Sequence, residues 1–508
     1  MTMTSLAVRA PPAPVPVRLD HVLLRRAFLV LGLGLAFVAP FSPDPVEFAA
    51  GAFVPWLVLR IVGTATLPAA VVYFLVWQWL QIYARTLLGL ADGEEMARGL
   101  FGPWVVDAYW YMLASIVVLA LAMRAVLGGA RPPTPRHATA HLAWRPADLF
   151  QFYLAALLIS TVGRFLVDFI PAIDQPMEAV ARIKLIALLM LFGGVLSVNR
   201  GFGFLLAAVM VELGIGFSGL LGDFRSVFII LFISALAVRI RWTAMTSIIV
   251  GAAAILLVFL ALFWTSVKSE YREVATGSDD SQNVKMSLDT RFGYLGGRVA
   301  SVGDIDWGRA SYALLYRLAY IDIFGSVIGV KLMSPEQGSF RQWSDALGHV
   351  FQPRFLFPNK QALSDTEVFV RLARGDASEQ VRLGTSISVG YMAENYVDLG
   401  FPGMLGGMFV IGLVLAAACR YFMAAPLPWI VREGIVLAFI YAVGNNGVEM
   451  SLPKLLGGAV MTFVVYAVLI KFAFPTALRW LDVRAAAARQ LELRRQQARA
   501  AMHNGLLK

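Results

Sequence analysis

Apolar stretches of about 17 or more residues, the length of a membrane-spanning helix, recur along this chain from residue 24 to residue 474. At a rise of about 1.5 Å per residue, each stretch can cross the roughly 30 Å of hydrocarbon in a bilayer. A water-soluble domain does not contain so many. The recurrence therefore predicts an all-α, polytopic transmembrane helix bundle.

Composition supports this prediction and narrows the function. Of 508 residues, 58% are hydrophobic and 15% are charged, with a mean hydropathy of +0.69. The net charge of +10 does not indicate a nucleic-acid partner, because the basic residues are spread over loops and tails. The single cysteine, Cys419, excludes an intramolecular disulfide framework and a cysteine-based metal site.

About twelve spans fit the hydropathy pattern. They lie near residues 24–41, 46–62, 67–86, 103–125, 148–170, 179–197, 202–218, 223–238, 242–266, 401–423, 430–447 and 455–474. The predicted segments are a tail (1–23), a bundle of about nine spans (24–266), a long loop (267–398), about three further spans (399–474) and a basic tail (475–508).

Basic residues set the predicted orientation. The 126–147 loop, the Arg239 and Arg241 turn and the C-terminal tail carry clustered cations, and such clusters stay in the cytoplasm. Both termini are therefore predicted to be cytoplasmic. The tail from 476 to 502 is predicted to be a helix on the inner membrane surface, either as an orientation anchor or in a regulatory role.

The same orientation places the 267–398 loop on the periplasmic side. Apolar residues at helical spacing predict an amphipathic helix over 309–332 that lies against the bundle. A long loop that contains its own helices is typically functional.

Several cations lie at the predicted outer ends of spans, where the positive-inside rule does not call for them. They are Arg164, with Asp168 one turn further on, Arg182, Lys184 and Arg225. Each is costly at the hydrocarbon boundary unless it is neutralised or lines an aqueous cavity. One interpretation is local pairing with acids; the other is a cationic cavity for a diphosphate, which guanidinium groups bind in a two-point grip.

Two segments of the loop favour the cavity. In Pro353-Arg354-Phe355-Leu356-Phe357-Pro358-Asn359-Lys360, two prolines stiffen a stretch flanked by cations. In Gly390-Tyr391-Met392-Ala393-Glu394-Asn395-Tyr396-Val397-Asp398-Leu399-Gly400-Phe401-Pro402-Gly403, a carboxylate and two tyrosines precede the tenth span.

These two segments, with Asp223-Phe224-Arg225-Ser226 and the order of spans and loop, resemble the Wzy-type oligosaccharide repeat-unit polymerases of O-antigen and exopolysaccharide systems. O-antigen ligases are distant relatives of that family. The likeness covers most of residues 200–475 in plan and about thirty residues in motif. It implies a metal-independent glycosyltransferase without a cofactor, acting in the periplasm on undecaprenyl-diphosphate-linked oligosaccharides. Membrane lipids, a chain-length regulator and export machinery are its implied partners.

The resemblance also implies residue roles. Arg225, Arg354 and Lys360 would bind the diphosphate or glycan, Glu394 would be the acid of the Glu-Asn-Tyr stretch with Tyr396 beside it, and Arg291 and Arg298 are further candidate anion ligands. Arg164 and Arg182 complete the predicted substrate-binding residues. The acceptor hydroxyl needs a general base. Glu394 and His349 are the candidates. His349 is included because it is the one histidine on the predicted outer side.

Three alternatives stay open at this stage. A transporter or flippase of lipid-linked glycans would also have about twelve spans, but it typically has shorter loops and charges nearer the midplane. A polyprenyl-phosphate-dependent glycosyltransferase would use acids in the first outer loop, here Asp44 and Glu47. A structural membrane protein without catalysis is the third.

Overall fold

The computed structural model describes residues 21–63, 66–99, 102–130, 134–170, 173–218, 224–238, 243–276, 286–333, 340–352, 357, 364–374 and 386–505. Within these ranges the regular secondary structure is helical throughout and contains no strand. The predicted all-α class is thereby confirmed.

The first half of the chain forms twelve α-helices within the described ranges. They are α1 His21–Val38, α2 Pro45–Ala52, α3 Val54–Val62, α4 Ala69–Asp92, α5 Trp104–Leu127, α6 Pro135–Thr139, α7 Pro146–Phe169, α8 Asp174–Ala181, α9 Ile183–Val198, α10 Phe202–Ser218, α11 Arg225–Ala237 and α12 Ala244–Thr276.

The second half contributes nine more among the described residues. They are α13 Leu288–Ala300, α14 Trp307–Leu318, α15 Ile321–Met333, α16 Arg341–Phe351, α17 Asp365–Ala373, α18 Tyr391–Ala424, α19 Trp429–Gly444, α20 Leu452–Phe472 and α21 Phe474–Gly505. Helix α18 contains a break at Gly400 and Phe401, where the backbone leaves helical geometry before Pro402.

Eight helical segments in the described part of the chain are long and apolar enough to cross a membrane. They are Val22–Phe41, Pro45–Val62, Trp104–Leu127, Pro146–Val167, Asp174–Val198, Ala244–Thr276, Tyr391–Ala424 and Leu452–Phe472. The pair α14 and α15, bent by 45°, would make a ninth. Helices α4, α10, α11 and α19 lie at the other four positions where the sequence predicts spans.

Small residues allow the central helices to approach closely. A side-chain carbon added at Gly412 of α18 would lie 2.7 Å from Ala122 of α5. One added at Gly325 of α15 would lie 2.8 Å from Val105, which is also in α5. Gly434 of α19 is similarly close to Ile186 of α9. Such contacts are typical of helix packing in membranes, where backbones must meet without a hydrophobic driving force.

The segment predicted as one amphipathic helix over 309–332 differs in the structure. It is divided at Ala319 and Tyr320 into α14, which is largely exposed, and α15, which packs against α5 and is largely buried. The physical reason is that α15 is apolar on nearly all sides, so that one-sided contact would leave much of it uncovered.

The predicted tail helix is confirmed as α21. Its first half is attached to the bundle, because Trp144 Nε1 donates a hydrogen bond to Asp482 at 2.9 Å and Arg484 pairs with Asp148 at 3.0 Å. Beyond Arg489 its described side chains are exposed.

Candidate functional site

Four positively charged side chains from three helices converge at one end of the bundle. Arg225 begins α11, Lys268 and Arg272 stand near the end of α12, and Arg317 is in the last turn of α14. The charges of Arg317, Arg272 and Arg225 all act on Lys268. We call these four residues the cation cluster.

Local sequence explains part of this convergence. Lys268 and Arg272 are four residues apart in one helix, which places both on the same face, where like charges repel. Helix α12 packs against both α11 and α14, and these contacts bring Arg225 and Arg317 to that face. The repulsion among four cations is unfavourable without a counter-charge, so the arrangement favours an anion as ligand.

No described carboxylate lies within 4 Å of any member of the cation cluster. The Nε atom of Arg272 is buried and has no hydrogen-bond partner among the described residues. A buried guanidinium N–H without a partner is costly. Among the described residues, the cluster therefore has at least one guanidinium N–H without a hydrogen-bond partner.

A described acid from another part of the fold lies in the electric field of these cations. Glu449, half-buried in the turn between α19 and α20, senses the charges of Arg317, Arg225 and Lys268. Burial raises the pKa of this carboxyl, and the three cations oppose that rise. Gln81 of α4 donates a hydrogen bond to Glu449 Oε1 at 3.3 Å.

Gln81 also fixes the turn that carries Glu449. Its Nε2 donates to Asn446 O at 3.2 Å, and its Oε1 accepts the Val448 N–H at 2.9 Å. Gly447, with φ of +60°, allows the backbone to pass so close to this side chain. The acid is therefore held by a buried polar residue of α4 rather than by its own sequence neighbours.

An apolar groove lies on the same helix as two of the cations. It has a volume of about 520 Å³ and is lined by Ala254, Ile255, Val258, Phe259, Leu262 and Trp307. Leu262 precedes Lys268 by six residues, which is about 9 Å along the helix axis. The combination of an apolar groove with nearby cations suits a ligand that has a lipid chain and an anionic head.

Of the predicted site residues, Arg225 belongs to the cation cluster. Arg182 instead pairs with Glu178 at 2.8 Å, and Arg298 pairs with Glu270 at 3.3 Å. Local neutralisation, which the sequence left open, thus applies to these two arginines. Their guanidinium groups already have a carboxylate partner, whereas those of the cluster have none within the described part of the chain.

Two further predicted anion ligands have other surroundings. Arg291 is buried in α13, where its Nε donates to Ser287 O at 3.4 Å, and it has further contacts. Arg164 is exposed on α7, and the side chain of Asp168 lies outside the described residues. Arg354, Lys360 and Asp223 also lie outside the described residues.

The Glu-Asn-Tyr stretch is buried inside the bundle. Glu394 is 2% exposed, and its Oε2 accepts the Leu452 N–H at 2.8 Å, so that it caps the start of α20. The ring of Tyr396 lies 4.8 Å from Lys331 Nζ. His349 is half-buried on α16 and has partners of its own. The catalytic roles of Glu394 and His349 stay predictions.

Sequence reasoning missed Lys268, Arg272, Arg317 and Glu449. The two cations in Lys268-Ser269-Glu270-Tyr271-Arg272, directly after an apolar span, were a usable signal. Arg317 and Glu449 had no local signal, because they become informative only through neighbours from other helices.

Comparison of the chain with protein-family models, with curated proteins and with solved structures gives no match. The function must therefore be argued from the residues of the site.

Proposed function

We propose that this chain is an integral membrane glycosyltransferase that polymerises undecaprenyl-diphosphate-linked oligosaccharide repeat units into a surface or secreted polysaccharide. The observation that carries the proposal is the cation cluster, whose four positive charges have no described carboxylate within 4 Å. An anion with two phosphate groups matches such a site in charge.

The proposed step needs no redox chemistry. An acceptor sugar hydroxyl attacks the anomeric carbon of the donor glycan, and the bond from that carbon to the diphosphate oxygen breaks. The electron pair leaves with the lipid diphosphate. The guanidinium groups of Arg225, Arg272 and Arg317 would stabilise the charge that develops on this leaving group.

The apolar groove supports the lipid part of the proposal. It is formed by α12 and Trp307 on the side of Lys268 toward the middle of the helix. A polyprenyl chain lying there would place its diphosphate near the cation cluster. The predicted contacts of Arg164, Arg182, Arg291, Arg298, Arg354, Lys360 and Tyr396 would then concern the glycan or the outer part of the diphosphate.

The topology belongs to the same proposal. We place the protein in a bacterial inner membrane with about twelve spans, both termini in the cytoplasm and the 267–398 segment in the periplasm. A chain-length regulator and export machinery are its proposed protein partners. Four separate ends, those of α11, α12, α14 and α19, carry or adjoin the cluster, and alternating spans bring these ends to the predicted periplasmic face.

The second candidate is a transporter or flippase of lipid-linked glycans. Charges inside the bundle favour it, and Lys184 with Glu212 is such a pair. This pair is closed at 2.7 Å and further bonded by Tyr153, however, so it offers a substrate little capacity. The candidates differ in where uncoupled repeat units accumulate.

The test uses deletion of the gene in its host and complementation with variants. Arg225→Ala should abolish polymer while single lipid-linked repeats accumulate on the periplasmic side and the protein remains inserted. Arg225→Lys should also lose much activity, because an ammonium cannot reproduce the two-point grip of a guanidinium. Arg98→Ala is the matched control, since Arg98 is a 76% exposed arginine outside the cluster.

Normal polymer from the Arg225→Ala strain would contradict the proposal. Accumulation of the repeats on the cytoplasmic side would favour the flippase instead.

A further inference from the structure

Glu449 is a described acid whose carboxyl senses the cation cluster, and it has spare hydrogen-bonding capacity. Glu449 receives one long hydrogen bond, from Gln81 at 3.3 Å, and forms no ion pair with a described cation. If its role were only to neutralise the cluster, a direct ion pair with an arginine would be expected. The geometry instead leaves a carboxylate near the cations and available to a ligand.

Three other described acids near this end of the bundle have structural partners. Glu394 caps α20 through the Leu452 N–H, and Asp398 accepts the N–H groups of Gln342 and Trp343 at the start of α16. Asp365 pairs with Lys454 at 2.6 Å. Each of these carboxylates has a structural partner, whereas Glu449 forms no ion pair with a described cation and its carboxyl senses the charges of the cluster.

We propose that Glu449 is the general base that takes the proton from the acceptor hydroxyl. This inference rests on the proposed function. As the hydroxyl oxygen forms its bond to the anomeric carbon, its proton passes to the Glu449 carboxylate, and the bond to the diphosphate breaks with its electrons going to the leaving group. The proton is later released to water. Each step thus consumes one donor glycan and one acceptor hydroxyl and releases one lipid diphosphate.

The surroundings of Glu449 suit this role. Burial raises the pKa of the Glu449 carboxyl, which makes the carboxylate a stronger base, while the charges of Arg317, Arg225 and Lys268 act in the opposite direction. Gln81 of α4 orients one oxygen. Tyr320 also senses the charge of Glu449. Its hydroxyl donates a hydrogen bond to Ser388 O, so it does not compete with Glu449 for the proton of the acceptor.

Glu449→Gln separates catalysis from binding. Removing a negative charge near Arg225, Lys268 and Arg317 should leave the affinity of the purified full chain for inorganic pyrophosphate equal or higher. Polymerisation should fall by about 100-fold or more, the range expected for loss of a general base. Polymer is measured with membranes of the deletion strain as the source of accumulated lipid-linked glycan, and pyrophosphate binding by calorimetry.

Glu449→Asp is the second variant, because it keeps the carboxylate and shortens it by one methylene. Glu449→Asp should retain partial activity, and that activity should fall at low pH as we expect for wild type. The residual activity of Glu449→Gln should show no such fall. Activity of Glu449→Gln within about threefold of wild type, or parallel loss of polymerisation and pyrophosphate binding in both variants, would overturn the inference. These outcomes differ from failure of the proposed function, in which Arg225→Ala itself would make polymer.

Discussion

Replacing Lys184 with methionine should destabilise the bundle strongly without touching the cation cluster. Lys184 of α9 is 14% exposed and forms an ion pair of 2.7 Å with Glu212 of α10, which is 4% exposed. Tyr153 of α7 donates a second bond to the same carboxylate at 2.9 Å. The variant would leave a buried negative charge with a single neutral partner.

The expected magnitude follows from this burial. Removing one partner of a buried ion pair costs about 3–5 kcal/mol, mostly because the remaining charge stays desolvated. The double variant Lys184→Met with Glu212→Gln removes that charge, and its amide oxygen can still accept the bond from Tyr153. It should therefore recover most of the lost stability.

The assay is unfolding of the purified chain in mixed micelles, followed by tryptophan fluorescence. We expect the order of stability to be wild type, double variant and then Lys184→Met. Pyrophosphate affinity of the double variant should equal that of wild type. If Lys184→Met is as stable as wild type, or if adding Glu212→Gln restores nothing, the pair does not stabilise the bundle and the argument from burial is refuted.

Two further predictions concern stability. Burial lowers the pKa of His141 from 6.5 to about 4, so the unfolded state takes up a proton at a higher pH than the folded state does. The free energy of unfolding should therefore fall by about 3 kcal/mol as pH drops from 6.5 to 4. His141→Phe should remove this loss in acid-unfolding measurements, and an unchanged pH dependence of that variant would disprove the prediction. Gly390→Ala should cost at least about 2 kcal/mol, because φ is +86° and the added carbon would clash with Val448 O. At Gly406, inside α18, an added carbon meets no atom within 4 Å, so Gly406→Ala should be neutral or slightly stabilising in the same unfolding assay. Equal stability of the two alanine variants would contradict this prediction.

Glu394 and Arg225 show which properties of a charged residue a local sequence pattern predicts and which it does not. Arg225 was singled out because a charge at a membrane boundary is costly, and Glu394 because it is the carboxylate of the segment that precedes the tenth span. In the structure the cost at Glu394 is offset by a backbone N–H of α20, whereas Arg225 meets three further cations. The pattern identified both charges as unusual but could not distinguish a helix cap from a ligand site, because the partner comes from a distant part of the chain.

The sequence by itself determined the helices of the predicted spans and of the tail, but not those of the long loop. Each of the twelve predicted spans coincides with one helix or a pair of helices, and the tail helix is where its composition places it. The reason is that apolar length and helix propensity act within a segment, so the chain carries this information locally.

Only the tertiary structure decided which charges meet. Lys268, Arg317 and Glu449 are separated by long stretches of sequence, and they become neighbours because α12 packs against α14 while Gln81 of α4 holds the turn before α20. Electrostatic interactions depend on distance in space, which the order of residues along a chain does not specify.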